Sequence, residues 1–150
     1  MAAPGMDPWL GLSLGLLLVA INGFFVAAEF ALVKLRPTQI QPRVDKGEVR
    51  AKMTQHVLER MASYLSAAQL GITLASLALG WIGEPAFAWI LRPLFEQIPG
   101  ASPSMLHSAS VTAAFFTITT LHIVLGEQAP KWLGLKHPEA VSLWIAIPMF

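Results

Sequence analysis

The chain has 150 residues, of which 55% are apolar and 13% charged, with a mean hydropathy of +0.58. A soluble domain carries about 25% charged residues, so this composition belongs to a membrane protein. A net charge of +1 argues against a nucleic-acid partner, and the lack of cysteine excludes disulfides, thiolate chemistry and zinc–thiolate sites.

From Pro8 to Ala28 no residue is charged, and Leu, Val, Ile, Phe and Gly dominate. About 20 such residues cross a bilayer core of roughly 30 Å as a helix. The first span is placed at about 9–33. A signal peptide is the weaker reading, because no basic residue precedes the run and no small-residue cleavage site follows it. Residues 34–60 form a polar connector with seven of the ten Lys and Arg residues. Pro37 and Pro42 are expected to break the helix there, and a surface helix is expected over about 50–60. The second span is placed at 61–82, with Gly83-Glu84-Pro85 as punctuation. Residues 86–95 then read as a separate short amphipathic helix, rich in Trp and Phe, at the interface. The third span is placed at 104–126 and is expected to end at Gly126-Glu127-Gln128-Ala129-Pro130. A last apolar run, 140–150, is too short to cross and reads as an element cut before its end.

The expected fold is therefore an all-α membrane protein with three transmembrane helices plus interfacial helices, all in one domain over 1–150. Cytoplasmic loops carry the excess of Lys and Arg. The 34–60 connector holds seven and the 83–103 connector only Arg92, which predicts an outside N-terminus and a cytoplasmic connector. No internal repeat is visible.

Polar residues in hydrocarbon are costly and face a protein interior or a water-filled cavity. In the first span Gly15, Asn22 and Glu29 are seven apart and stack along one stripe. In the second, Ser63, Ser66, Gln69, Thr73, Ser76 and Gly80 recur every three or four residues. In the third, Ser110, Thr117 and Thr120 share a face leading to Glu127. Close helix packing accounts for small and hydroxylated residues in such stripes. Asn22, Gln69, Glu29 and Glu127 are harder to explain that way. Two amides and two carboxylates on converging faces would make an oxygen-lined cavity, which suits a hard ion such as Mg²⁺. A helix broken at Gly126-Glu127 would add free carbonyls, a device by which transporters bind cations. Glu29 also suits a structural partner at the membrane boundary. His122 within the third span reads first as a packing residue. Glu84 reads as solvated at the outer turn.

Three stretches carry a family resemblance: Asn22-Gly-Phe-Phe-Val-Ala-Ala-Glu29, Ala67-Ala-Gln69-Leu-Gly-Ile-Thr73 and Gly126-Glu127-Gln-Ala-Pro130-Lys131. In this order they resemble the membrane domain of the CNNM/CorC family of magnesium transporters. The resemblance implies a homodimer with three transmembrane helices per subunit, in the cell (plasma or inner) membrane. It implies secondary transport, as export, of Mg²⁺, with Co²⁺ as a second candidate and Na⁺ as a coupling ion in some members. Carried over by position, it implies metal contacts from Asn22, Gln69, Thr73, Gly126 and Glu127. Ser66, Ser76, Thr120 and Glu29 stand as secondary polar or structural positions. Asn22 falls where several members have Ser, and Val26 where some have a second Ser. Longer members add cytoplasmic nucleotide-binding CBS modules and a C-terminal domain, neither of which is among these 150 residues.

Two other classes are weighed. One is a non-transporting anchor that dimerises a cytoplasmic CBS-type regulatory domain, its polar faces serving packing alone. The other is an intramembrane hydrolase, disfavoured because no HExxH helix or paired intramembrane Asp is present. No phosphate-binding loop supports ATP-driven pumping, so the chain is read as a non-enzyme.

Overall fold

Asp7 and Pro8 open the first helix. The Asp7 carboxylate accepts from the Trp9 amide at 3.3 Å, and Pro8 has no N–H to leave unpaired in the first turn. Ser102 and Pro103 repeat the arrangement before the third span, with Ser102 Oγ accepting from the Met105 amide. The computed structural model describes residues 7–149. Its elements are α1 (Pro8–Lys34), α2 (Pro37–Asp45), α3 (Val49–Glu59), α4 (Met61–Phe95) and α5 (Pro103–Leu121). A π-helical segment (His122–Gln128), α6 (Ala129–Lys136) and α7 (Pro138–Met149) follow. No strand occurs among the described residues.

Three stretches are long and apolar enough to cross a membrane: Pro8–Lys34, Met61–Phe95 and Pro103–Lys136. The chain is an all-α membrane protein, as composition indicates. Gly47 and Gly100 take positive φ (80° and 79°) in the turns after α2 and after α4, where a side chain would be strained. The chain thus runs along α1, returns along α4 and runs down again through α5, the π segment and α6. Nine of the ten Lys and Arg residues gather at the α2, α3, α6 end, and Arg92 stands alone at the other. Aromatic residues mark both ends. Trp9 and Trp89 meet edge to face at 6.0 Å, while Arg50 lies over Trp144 and Lys136 over Trp132 at the basic end.

Three expectations are corrected. Gly83-Glu84-Pro85 does not punctuate the second span, because α4 continues through it for 35 residues. A transmembrane helix tolerates Pro where neighbours compensate, and Gly83 packs into the junction of all three spans. A Cβ there would overlap Ile118 Cδ1 of α5, and a Cβ on Gly15 would sit 3.5 Å from the Gly83 Cα. At 35 residues α4 is about 52 Å long, so it tilts or projects beyond a bilayer core of about 30 Å. Secondly, Pro42 breaks no helix but lies within α2, whereas the chain does break before Pro37, where α2 begins. Thirdly, the third span does not end at Gly126 but passes through the π segment into α6. The apolar run at 140–149 lies in α7 and packs inward. Its Val141 and Ile145 join Ala27, Ala28, Ala31, Leu32 and Val57 in the main core cluster. Phe150 lies outside the described residues.

Small residues set the helix spacing, as hydrocarbon offers no hydrophobic drive between spans. Gly134 of α6 sits against backbone: a Cβ would lie 2.7 Å from Ala27 O and 3.0 Å from Ala31 N. Backbone has no rotamer with which to give way. Gly134→Ala is therefore expected to push α6 from α1 and lower stability by about 1–3 kcal/mol, read as a lowered melting temperature in micelles.

Candidate functional site

Pro130 has no N–H, so the Gly126 carbonyl four residues earlier lacks the donor that an α-helix would supply. The π segment spaces its bonds by five, as in the Ala129 amide donating to Val124 O. Into this irregular stretch α1 sends a buried amide. Asn22, 1% exposed, donates from Nδ2 to Gly126 O at 2.9 Å. Its Oδ1 accepts from Ser76 Oγ of α4 at 3.2 Å. Ser76 Oγ lies 3.3 Å from His122 Nε2, at the start of the π segment.

The directions of these bonds follow from the donors available. Ser76 has one proton and gives it to Asn22, so His122 Nε2 must carry the proton of the remaining bond. The chain runs from His122 to Ser76 to Asn22 to the Gly126 carbonyl. It starts and ends on the same π segment and passes through all three spans. Such a closed series polarises its own members and pins three helices at one level. Gly126 must be small here, because a Cβ would meet His122 Cδ2 at 2.9 Å and Asn22 Nδ2 at 3.4 Å.

A second contact lies two helical turns toward the basic end. Gln69 Nε2 of α4 donates to Glu29 Oε1 of α1 at 3.3 Å. Asn22 and Glu29 are seven residues apart on α1, as Gln69 and Ser76 are on α4, so the levels are separated by about 10 Å. Thr73 stands between them on α4, and its hydroxyl donates to the Gln69 carbonyl of its own helix.

The structure thus brings together Asn22 and Gly126, and adds Ser76 and His122. It pairs Gln69 with Glu29 at a separate level. Ser66 and Thr120 bond back to Ala62 O and Phe116 O of their own helices. Glu127 is exposed, and among the described residues it has no hydrogen-bond or ion-pair partner. No group of three or more His, Cys, Asp or Glu that could hold a metal occurs among the described residues. His122 is the participant that residue counting undervalued, since only its position opposite Ser76 gives it a role. Residues 11–15, Gly-Leu-Ser-Leu-Gly, have the spacing of a nucleophile elbow, but they lie inside α1 with no strand before them. Ser13 Oγ there donates to Trp9 O, so the serine is not presented at a strand-to-helix turn.

Comparison with known proteins agrees with the three motifs. Residues 14–150 match the family model of the cyclin M (CNNM) transmembrane N-terminal domain. The chain belongs to the CNNM family. It is 45% identical over 132 residues to the UPF0053 protein YugS of Bacillus subtilis, covering 88% of this chain and 30% of that protein. YhdT of the same organism, another UPF0053 protein, is 45% identical, with 88% and 28% covered. The uncharacterized protein Rv1841c of Mycobacterium tuberculosis is 35% identical over 143 residues, with 95% and 40% covered. The CNNM chain described here therefore spans less than half the length of these curated relatives.

Proposed function

We propose that this CNNM domain is the ion-conducting part of a secondary transporter that exports Mg²⁺. The observation that carries the reading is the Asn22–Ser76–His122–Gly126 knot. It puts an amide oxygen, a hydroxyl and the Gly126 carbonyl within one cluster where three spans meet. Mg²⁺ takes oxygen ligands, keeps several waters and needs few carboxylates. In this shape each of these oxygens is held in a hydrogen bond, so the ion enters by exchanging those bonds for metal contacts. Gly126 O is released from Asn22, and Asn22 Oδ1 and Ser76 Oγ turn to the ion. Glu127, next to Gly126, supplies the charge, and Gln69 with Thr73 lines the approach from the basic end. Glu29 and Gln69 form the entry on that side.

The same reading places the basic end in the cytoplasm and the N-terminus outside, in the cell membrane, by the distribution of Lys and Arg. It takes the working form to be a homodimer, with CBS modules in the full-length protein, and it assigns no catalytic step. Na⁺ coupling and Co²⁺ as a second cargo belong to it as well.

Calorimetric titration of Mg²⁺ into the purified protein tests the reading. The wild type should bind, and Ser76→Ala should bind at least about tenfold more weakly, a loss of about 1.4 kcal/mol. Equal binding by both would move the site away from the knot. No binding by the wild type would favour the anchoring module, with its polar faces serving packing alone.

A further inference from the structure

The polar face of α4 does not stop at the knot. Gly80 and Glu84 continue it from Ser76, one and two turns farther from the basic end. Beside them α4 and α5 part. A pocket of about 120 Å³ is lined by Ser76, Gly80, Glu84, Thr119 and His122, among others. A second pocket of about 220 Å³ adjoins it, with Glu84, Arg92, His107 and Ser110 in its wall. Glu84 lines both, and Ser76 and His122 of the knot line the first. The polar lining therefore runs from the knot to the end of the bundle where α4 turns into α5.

Glu84 is half-buried, and among the described residues it has no hydrogen-bond or ion-pair partner. Arg92 does not neutralise it, because its guanidinium holds Glu96 at 2.8 Å. A half-buried carboxylate without a partner in a membrane-spanning helix is costly, and such residues mark ion routes. Thr119 adds a hydroxyl from α5. A carboxylate and a hydroxyl in the wall of one small pocket are hard oxygen donors, the kind that takes a divalent cation such as Mg²⁺ with part of its water.

We infer that Glu84 is a second cation site, through which a divalent ion leaving the knot passes along α4 and α5 to the outer side. The inference rests on the transport reading above. It gives the Gly83-Glu84-Pro85 string inside α4 a role. Gly83 locks α4 onto α1 and α5, while Glu84, one residue on, faces the gap.

The chain contains no cysteine, so each single substitution creates one thiol. Thr119→Cys places it in the first pocket, and Leu77→Cys, on an exposed apolar position of α4, serves as the control. Both are treated in membrane vesicles with a charged, membrane-impermeant thiol reagent, which reacts with thiolate and so reports water. Thr119→Cys should be labelled from the outer side at least about tenfold faster than Leu77→Cys, because its thiol can ionise. Mg²⁺ should slow the labelling, and the slowing should disappear in Thr119→Cys combined with Glu84→Gln. Labelling as slow as the control, labelling from the cytoplasmic side alone, or labelling indifferent to Mg²⁺ would overturn the inference. Mg²⁺ movement by wild-type vesicles, measured in parallel, separates the two claims. Its failure would sink the transport reading, whereas Mg²⁺ protection at position 119 would still support a cation site at Glu84.

Discussion

Replacing Asn22 with alanine is expected to stop Mg²⁺ movement and to destabilise the bundle together. Asn22 is the one side chain that both donates to the π segment and accepts from α4. Its loss removes the side-chain donor to the Gly126 carbonyl. It also leaves the Ser76 hydroxyl with only His122. Leaving buried polar groups unsatisfied costs about 1–3 kcal/mol, and the cavity left by the shortened side chain adds to it. The melting temperature in micelles should fall, and Mg²⁺ efflux from loaded vesicles should drop to background. Asn22→Ser separates the two effects. Serine restores one oxygen at this level but is too short to span both Gly126 and Ser76. That variant should remain less stable than the wild type while recovering part of the efflux. An Asn22→Ala protein that transports normally would remove the knot from the mechanism.

The spans were legible in the sequence because hydropathy and the three-to-four-residue spacing of polar side chains are local properties. The stripe of Gly15, Asn22 and Glu29 on α1 does face α4, and Asn22 is buried there as the spacing suggests. What local reading missed depends on partners far along the chain. Gly83-Glu84-Pro85 has the composition of a turn, yet Ile118 and Gly15 close over Gly83 and keep α4 helical. Gly126 to Pro130 also has the composition of a stop. The chain instead passes through the π segment into α6, and Asn22, 104 residues away, donates to the Gly126 carbonyl. Hydropathy alone does not say where the apolar run at 140–149 packs. It is a helix that packs inward because α1 and α3 present Ala28, Ala31 and Val57 to it. His122 shows the same limit. A single histidine in an apolar stretch carries no periodic signal, and only Ser76 opposite it reveals its bond.

These corrections bear on how an ion would pass. A continuous α4 carries Gln69, Thr73, Ser76, Gly80 and Glu84 along one face, so polar positions are spaced three to four residues apart over about 22 Å. The two carboxylates along this line, Glu29 beside Gln69 and Glu84, flank a knot that itself carries no formal charge. A charged group at each end and neutral oxygens between favour entry and release over tight retention, which transport requires. A helix ending at Ile82 would have left Glu84 in a loop, outside the line.

Glu127→Gln should separate binding from stability as cleanly as any change in the chain. Glu127 is exposed and has no partner among the described residues. Its amide analogue is of equal size, so the melting temperature should stay within the range of a surface substitution, about 0.5 kcal/mol. Mg²⁺ affinity has no such protection. A unit charge about 4 Å from a divalent ion, at an effective dielectric of about 20, is worth up to about 8 kcal/mol before desolvation is subtracted. Retaining a third of that amounts to a loss of about 100-fold in affinity, because each 1.4 kcal/mol is tenfold. The knot alone, with Asn22, Ser76 and Gly126 unchanged, would then hold the ion only weakly. Calorimetry on Glu127→Gln should therefore show little or no heat of Mg²⁺ binding from a protein that melts like the wild type. Retained efflux in this variant would place the charge elsewhere, with Glu29 and Glu84 as the carboxylates left on the polar line of α1 and α4. Loss of binding together with a large fall in melting temperature would instead give Glu127 a structural role, as in a contact with a second copy of the chain.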